Sequence, residues 1–145
     1  KILTGYESES FINDELHQIM ELFKNIKEFE PFHTYDSLKR RLSEHNSRIF
    51  YVKIDGKIVA MAQTTAENSR SAMVVAVCTH PDYRNHGYAT ACVAKLCSKL
   101  LSEGRVLCLI YDNEKAGNIY KKLGFRKIGL WGMYDLKKLT QHTIE

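Results

Sequence analysis

The 145-residue chain lacks long apolar segments, and we expect no signal peptide at its start. No apolar run reaches the ~18 residues that a membrane-spanning helix needs. Residues 1–10 do not show the basic and then apolar pattern of a signal peptide. We therefore expect a cytoplasmic protein without a membrane partner.

Cysteine and net charge are also low. The four cysteines form no C-x-x-C pair, which argues against a zinc site and against thioredoxin-like chemistry. Cys78, Cys92, Cys97 and Cys108 all lie in apolar stretches, so we expect buried, reduced thiols and no metal. The formal net charge is +4 with both signs interspersed, so the sequence offers no basic stripe for nucleic acid.

What is present is the pattern of one α/β domain over residues 1–145. The length suits a single domain, and the chain has no internal repeat, low-complexity segment or interior linker. Helical periodicity marks residues 11–26, 88–101 and 113–123, and Asp36 is placed to cap a further short helix. Residues 49–54, 58–63, 72–78 and 106–111 are typical of strands, and residues 125–136 of extended chain. We expect residues 72–78 and 106–111 to be buried strands.

The order of these elements predicts the sheet. An Asp55-Gly56 turn joins the first two strands as a hairpin, and a third strand continues the meander before helices and strands alternate. This order predicts a mixed sheet of about six strands flanked by helices, antiparallel first and partly parallel later.

The segment that follows the third strand carries the chemistry. A short loop leads directly into the helix that starts near Tyr88, and a helix N-terminus is a natural site for an anion. Gly87 lets the backbone approach a phosphate, Ala89 keeps the approach open, and Arg84 can add charge-assisted hydrogen bonds. The segment is neither a P-loop nor a dinucleotide fingerprint. The segment therefore predicts a pyrophosphate site, and the alternative is an ordinary strand–turn–helix connection.

Two motifs in this order resemble the GNAT superfamily of N-acetyltransferases. The first is Arg84-x-x-Gly87-x-Ala89, and the second is Asn113-x-x-Ala116-x-x-x-Tyr120-x-x-x-Gly124-Phe125. The resemblance covers almost the whole chain and implies acetyl transfer from acetyl-CoA to an amine of a small molecule or a peptide. It is also similar to a branch in which a longer N-terminal part precedes this domain, so the chain could be a C-terminal domain.

The resemblance implies where acetyl-CoA binds. The pantetheine arm is expected to pair with the backbone of Val77, Cys78 and Thr79, where the neighbouring strands part. The pyrophosphate is expected on the amides of the loop and helix start, and Asn113 near the pantetheine. The loop and helix residues concerned are Arg84, Asn85, His86, Gly87, Tyr88, Ala89 and Thr90.

Tyr120 matches the tyrosine that protonates the departing CoA thiolate in this superfamily, and a phenol with a pKa of ~10 suits a general acid. The alternative is that Tyr120 only packs in the core. Met73 and Cys108 stand where many relatives carry a glutamate that serves as general base. The base is then a chain of water molecules, Glu67 or His80, or else the domain binds acyl-CoA without catalysis. His80 beside Pro81 reads as a surface turn residue.

Two regions outside these motifs complete the expectations. The loop over residues 27–35 carries Glu28, Glu30, Phe32 and Tyr35, which could hold a cationic amine, or could be an ordinary solvated loop. Residues 125–145 leave little room for the two final strands that the superfamily usually has. A missing strand could come from a preceding N-terminal domain or from a second subunit in a homodimer. A module for another phosphate ligand, such as a nucleotide, is the remaining rival.

Overall fold

The computed structural model describes residues 1–3, 8–26, 35–111 and 114–130. The chain forms two compact units, residues 1–109 and residues 110–145, and each is described here by itself. The single domain over residues 1–145 stays a prediction.

Two helices open the first unit. Helix α1 spans Glu9–Lys24, and the Ser8 hydroxyl caps it by accepting the Phe11 N–H at 3.3 Å. Helix α2 spans Tyr35–Ser43. Asp36 lies inside the first turn of α2 and is not its cap, so the predicted cap position was wrong. Its carboxylate still stabilises the helix because the first turn carries partial positive charge.

The described strands form one mixed sheet in the order β1-β2-β3-β4-β5. Pairing is antiparallel between β1 and β2, β2 and β3, and β3 and β4, whereas β4 and β5 are parallel. This arrangement confirms the predicted fold class and the change from antiparallel to parallel pairing. The strands are β1 (Ile2–Leu3), β2 (Ile49–Ile54), β3 (Lys57–Thr65), β4 (Ser71–Thr79) and β5 (Val106–Leu109).

The predicted count of about six strands was too high for the described residues. The described sheet has five strands, of which β1 has only two residues, so four strands are of ordinary length. Strand β1 escaped prediction because two residues show no alternation. Residues 125–130 of the expected last strand form no strand, and residues 131–136 lie outside the described residues.

The core of the first unit lies between the sheet and helices on its faces. Apolar side chains of α1 and α2, such as Leu16 and Leu42, pack against Tyr51, Met61 and Cys78 of the sheet. Alternate strand residues point to the other face. On that other face, helix α3 (Tyr88–Ser102) contacts β2 and β3. The helix buries one side, which agrees with the helical spacing of its apolar residues. Its buried residues are Cys92, Val93, Leu96 and Leu100.

Strand β5 and the cysteines correct the predicted burial. Val106 is 68% exposed, because β5 is the last strand of the described sheet. The predicted buried strand at residues 106–111 is therefore shorter and partly exposed. All four thiols are free, but only Cys78 and Cys92 are buried, while Cys97 is half-buried and Cys108 exposed.

The described part of the second unit is built around helix α4, Glu114–Lys122. The helix ends close to its predicted limit because Gly124 adopts a left-handed conformation (φ 105°) and its N–H bonds the Lys121 carbonyl at 3.0 Å. Residues 125–130 continue without regular structure.

Candidate active site

Strands β4 and β5 are paired along only half of β4. The pairs run from Ser71 with Val106 to Val74 with Leu109, where β5 ends. Strand β4 continues to Thr79 without a partner on β5. Beyond Val74, β4 therefore has no described strand beside it on this side, and Val77, Cys78 and Thr79 lie along this opened edge.

A bulge distorts β4 within this opened stretch. Ala76 has a positive φ of 53°, and the register with β3 shifts between Met61 and Gln63. A bulge bends its strand and turns backbone groups away from the regular ladder. No residue of this stretch predicts the bulge, because glycine is the residue that usually marks a positive φ and position 76 is alanine.

The strand leads into a compact turn that His80 stabilises. The His80 N–H donates to the Val59 carbonyl at 2.7 Å, and its Nδ1 accepts the Asp82 N–H at 3.1 Å, capping a short 3-10 helix over Pro81–Tyr83. His80 is buried, with 6% of its surface exposed. The expectation of a surface residue was therefore wrong, and Nδ1 is occupied by a backbone donor.

The next residues fix the turn with their own side chains. Arg84 Nε donates to the Thr79 carbonyl at 3.4 Å, and Asn85 has a left-handed φ of 67°. His86 Nδ1 lies 3.1 Å from the Tyr83 carbonyl and 2.8 Å from the Arg84 carbonyl. Because a carbonyl only accepts, Nδ1 carries a proton. The turn is thus held in shape before any ligand binds.

Helix α3 begins at this turn with its first amides open. Gly87 is the N-cap residue with φ 76°, and no side chain of the described residues caps the helix. The first turn contains no acidic residue, and a side chain added at Gly87 would meet nothing within 4 Å. The amides of Tyr88, Ala89 and Thr90 therefore lie at a helix N-terminus that suits an anion.

Tyr120 lies in the second unit, on helix α4. Its ring packs between Tyr111, with ring centres 6.0 Å apart, and Phe125, with ring centres 6.1 Å apart. Only 9% of the residue is exposed, and burial raises the pKa of the phenol above its ordinary value. The phenol therefore stays protonated at neutral pH. Asn113 lies outside the described residues.

Neither side chain that was considered as a general base is arranged to take a proton. Glu67 is buried against the guanidinium of Arg48, with Oε1 and Nη2 2.7 Å apart. Burial works to raise the pKa of Glu67, but hydrogen bonds from Arg48 and Thr64 outweigh it and hold the pKa below its ordinary value. His80 uses Nδ1 as a cap. Met73 and Cys108 are direct partners across β4 and β5.

The expected acceptor loop is described only at its ends. Glu28, Glu30 and Phe32 lie outside the described residues. Tyr35 begins α2, where its ring stacks on His17 with centres 4.7 Å apart and its hydroxyl donates to Asn13 Oδ1 at 2.5 Å. Within the described ranges, no group of three or more His, Cys, Asp or Glu side chains is placed to hold a metal ion. No described helix is long and apolar enough to cross a membrane.

Comparison with known proteins decides the family. Residues 13–125 match the model of the acetyltransferase (GNAT) family. The chain belongs to the GNAT family. It is therefore an acyltransferase, and the family generally uses acetyl-CoA as the acyl donor.

Relatives agree with this assignment, and solved structures share the fold. An acetyltransferase of Yersinia pestis (strain Pestoides F) is 27% identical over 124 residues, which cover 82% of this chain and 86% of the relative. An aminoglycoside acetyltransferase from an uncultured soil metagenomic sample has the same fold, with a TM-score of 0.73, 14% identity and 94% of each chain covered. A predicted acetyltransferase with acetyl-CoA from Clostridium acetobutylicum has a TM-score of 0.64 and 16% identity, with 95% of this chain and 96% of that chain covered.

The first of these relatives is matched over 86% of its own length. These matches support an enzyme over a catalytically silent module.

Proposed function

We propose that this GNAT enzyme acetylates an amine by direct attack of the amine on the thioester of acetyl-CoA. The observation that carries the proposal is the continuity of two features: the opened edge of β4 runs through one turn into the uncapped start of helix α3. An extended pantetheine arm needs the first feature, and a diphosphate needs the second. The common nucleotide and dinucleotide motifs need the helix start but do not need an open strand edge beside it.

The cofactor contacts follow from this continuity. We assign the pantetheine arm to the backbone of Val77, Cys78 and Thr79, as an added half-strand beside β4. The pyrophosphate is assigned to the amides between Arg84 and Thr90, and Asn113 to the pantetheine side. A backbone N–H near Val77 and Cys78 would stabilise the oxyanion that develops on the thioester carbonyl.

Tyr120 is the proposed general acid. The amine nitrogen forms a bond to the acetyl carbon, the carbon–sulfur bond breaks, and the phenol proton passes to the leaving thiolate. The nitrogen then loses its second proton to solvent, and solvent returns a proton to the phenolate. The spacing of Tyr120 within the second motif supports this role, and its raised pKa supports a protonated phenol over the whole physiological range.

The amine loses its proton to solvent in this proposal. Glu67 and His80 are committed to other contacts, so a water chain remains as the base among the options considered. Such an enzyme favours acceptors that are partly neutral near pH 7, and we expect the rate to rise with pH until the amine is mostly deprotonated.

The acceptor is assigned as a primary amine of a small molecule or peptide. Solved neighbours include an aminoglycoside acetyltransferase in complex with sisomicin, which has a TM-score of 0.72 to this chain. That likeness supports a polyamine-like acceptor, and Tyr35 stacked on His17 offers aromatic surface beside the acceptor loop.

The decisive experiment is a screen for CoA release from acetyl-CoA with aminoglycosides, polyamines, amino acids and peptide N-termini. We expect thiol release that depends on one amine class, and mass spectrometry should show one added acetyl group. Thermal shift assays with CoA, ATP and NAD form the control. Stabilisation by CoA without thiol release would favour a silent module, and stabilisation by ATP or NAD alone would favour a different phosphate ligand.

A further inference from the structure

A network of four charged side chains lies in the first unit, away from the loop that joins β4 to α3 (residues 80–87), which is called the cofactor loop after its proposed role. At its centre is the buried carboxylate of Glu67, whose side chain is only 6% exposed. Arg48 binds it with two donors, Nη2 to Oε1 at 2.7 Å and Nε to Oε2 at 3.0 Å, and Arg105 Nη1 binds Oε1 as well. The Thr64 hydroxyl donates to Oε2 at 2.5 Å. Every strong acceptor position of this carboxylate is thus used.

Glu103 closes the network. Its carboxylate accepts two hydrogen bonds from Arg48, each 2.9 Å long, and lies 3.5 Å from Arg105 Nε. Two carboxylates therefore alternate with two guanidiniums, and the charges sum to zero. Planar guanidinium groups bound by two donors fix direction as well as distance.

The network lies where several elements begin or end. Arg48 precedes β2, Glu67 follows β3, Glu103 follows α3, and Arg105 immediately precedes β5. The Val106 N–H also donates to the Arg70 carbonyl at 2.8 Å, next to the first residue of β4. The network thus holds β5 at the end where β4 and β5 are paired, and Thr79 at the other end of β4 leads to the cofactor loop.

We propose that Glu67 and Arg105 are positioning residues that set the direction in which β5 runs beside β4, and through this the affinity for acetyl-CoA. The inference rests on the proposed function, in which the opened edge of β4 receives the pantetheine arm. Only four residue pairs join β4 to β5. With so few pairs, the strand direction of β5 depends on how its first residue is held, and Arg105 holds it from the adjacent position.

The test compares Arg105→Met with a matched control. The Lys53 ammonium binds the buried Glu15 carboxylate at 2.5 Å and joins β2 to α1, so Lys53→Met removes an ion pair of similar burial that does not touch β5. We expect Arg105→Met to raise the KM for acetyl-CoA and the Kd for CoA by about fivefold or more. Lys53→Met is expected to leave the KM and the Kd near their wild-type values, while it lowers Tm at least as much as Arg105→Met does.

Two further variants and one structural readout complete the design. Arg105→Lys should recover part of the affinity because the charge is kept, and Glu67→Gln should behave like Arg105→Met. Hydrogen exchange at Val106–Leu109 should become faster in Arg105→Met and stay unchanged in Lys53→Met. Exchange can be followed in the variants even where activity is low.

The outcomes separate this inference from the proposed function. A wild-type protein that does not bind CoA would overturn both. A wild-type protein that binds CoA, together with an Arg105→Met variant whose KM, Kd and exchange match those of Lys53→Met, would overturn the positioning role alone.

Discussion

At the scale of single residues, the surroundings decide what each side chain does. His80 and His86 are six positions apart and both lie in the loop between β4 and α3, yet they use Nδ1 in opposite ways. His80 Nδ1 accepts a backbone N–H, whereas His86 Nδ1 donates to backbone carbonyls. Both rings therefore stabilise the turn.

Tyr120→Phe tests the proposed acid. We expect kcat to fall by about 10²-fold or more because the thiolate then leaves without a proton donor. The Kd for CoA should stay close to wild type, because the ring is retained. Stopped-flow or thiol-release kinetics measure kcat, and calorimetry measures Kd. Tyr111→Phe is the matched control, since its ring packs on Tyr120, and an equal loss in both variants would remove the assignment.

Substitutions at Gly87 test the proposed pyrophosphate site. Gly87→Glu should abolish CoA binding in calorimetry, because a carboxylate would face the phosphate. Gly87→Asn is the control for backbone strain, since asparagine tolerates the left-handed conformation that Gly87 adopts at φ 76°. We expect Gly87→Asn to retain measurable binding. Unchanged affinity in Gly87→Glu would contradict the assignment.

At the scale of elements, irregularities matter as much as regular helices and strands. The bulge at Ala76 interrupts β4 where it loses β5 as a partner, and helix α4 contains a glycine that its pattern did not explain. A Cβ at Gly117 would overlap the ring of Tyr111. The close approach of this ring to the helix is therefore the reason for glycine at this position.

Gly117→Ala tests that explanation. Alanine gains about 1 kcal/mol of helix propensity over glycine, but overpacking against Tyr111 costs about 1–3 kcal/mol. We therefore expect a lower free energy of unfolding, measured in urea. Asn118→Ala, at the exposed neighbouring position on α4, should leave stability equal or higher. In a Tyr111→Ala background, Gly117→Ala should raise the free energy of unfolding, because the ring is gone and only the gain in helix propensity remains. A Gly117→Ala single variant that is more stable than wild type would contradict the contact.

At the scale of the whole molecule, one charge network links elements far apart in the sequence. Arg48 and Arg105 are 57 positions apart, yet both bind Glu67. Breaking a buried ion pair by removing one partner costs about 3–5 kcal/mol, because the other charge remains uncompensated. Here each guanidinium keeps Glu103 as a second partner, so we expect a smaller cost, about 2 kcal/mol, for Glu67→Gln.

The pH dependence of stability follows from the same network. The pKa of Glu67 is held below its ordinary value, so its contribution is fully present above the pKa of the unfolded chain, about 4.5. That contribution is lost as pH falls through the lower folded pKa. In urea unfolding from pH 7 to pH 3, the difference in the free energy of unfolding between wild type and Glu67→Gln should therefore become smaller below about pH 4.5. Glu21→Gln, which removes an exposed pair with Lys24, should show little gap. A difference between wild type and Glu67→Gln that does not change with pH would contradict a stabilising charge on Glu67.

Local patterns were enough for most elements of the chain. The Asp55-Gly56 hairpin, the start of α3 at Tyr88 and the end of α4 near Gly124 follow from turn residues and helical spacing, which act between neighbours in sequence. Arg84, Gly87 and Ala89 mark the loop before α3 in the same way, and its role in cofactor binding stays a prediction. Burial of His80 and exposure of β5 were predicted wrongly, because both depend on which elements pack nearby.

By itself, the amino-acid sequence determined the class of fold, the GNAT family and the helix start that suits a diphosphate, since each depends on short spacings of glycine, arginine and apolar residues. Only the tertiary structure decided that Glu67 is bound by two arginines, that Ala76 forms a bulge and that β5 ends opposite Val74. Contacts of this kind join residues that lie tens of positions apart. Their energy depends on three-dimensional packing, which no local pattern in the chain encodes.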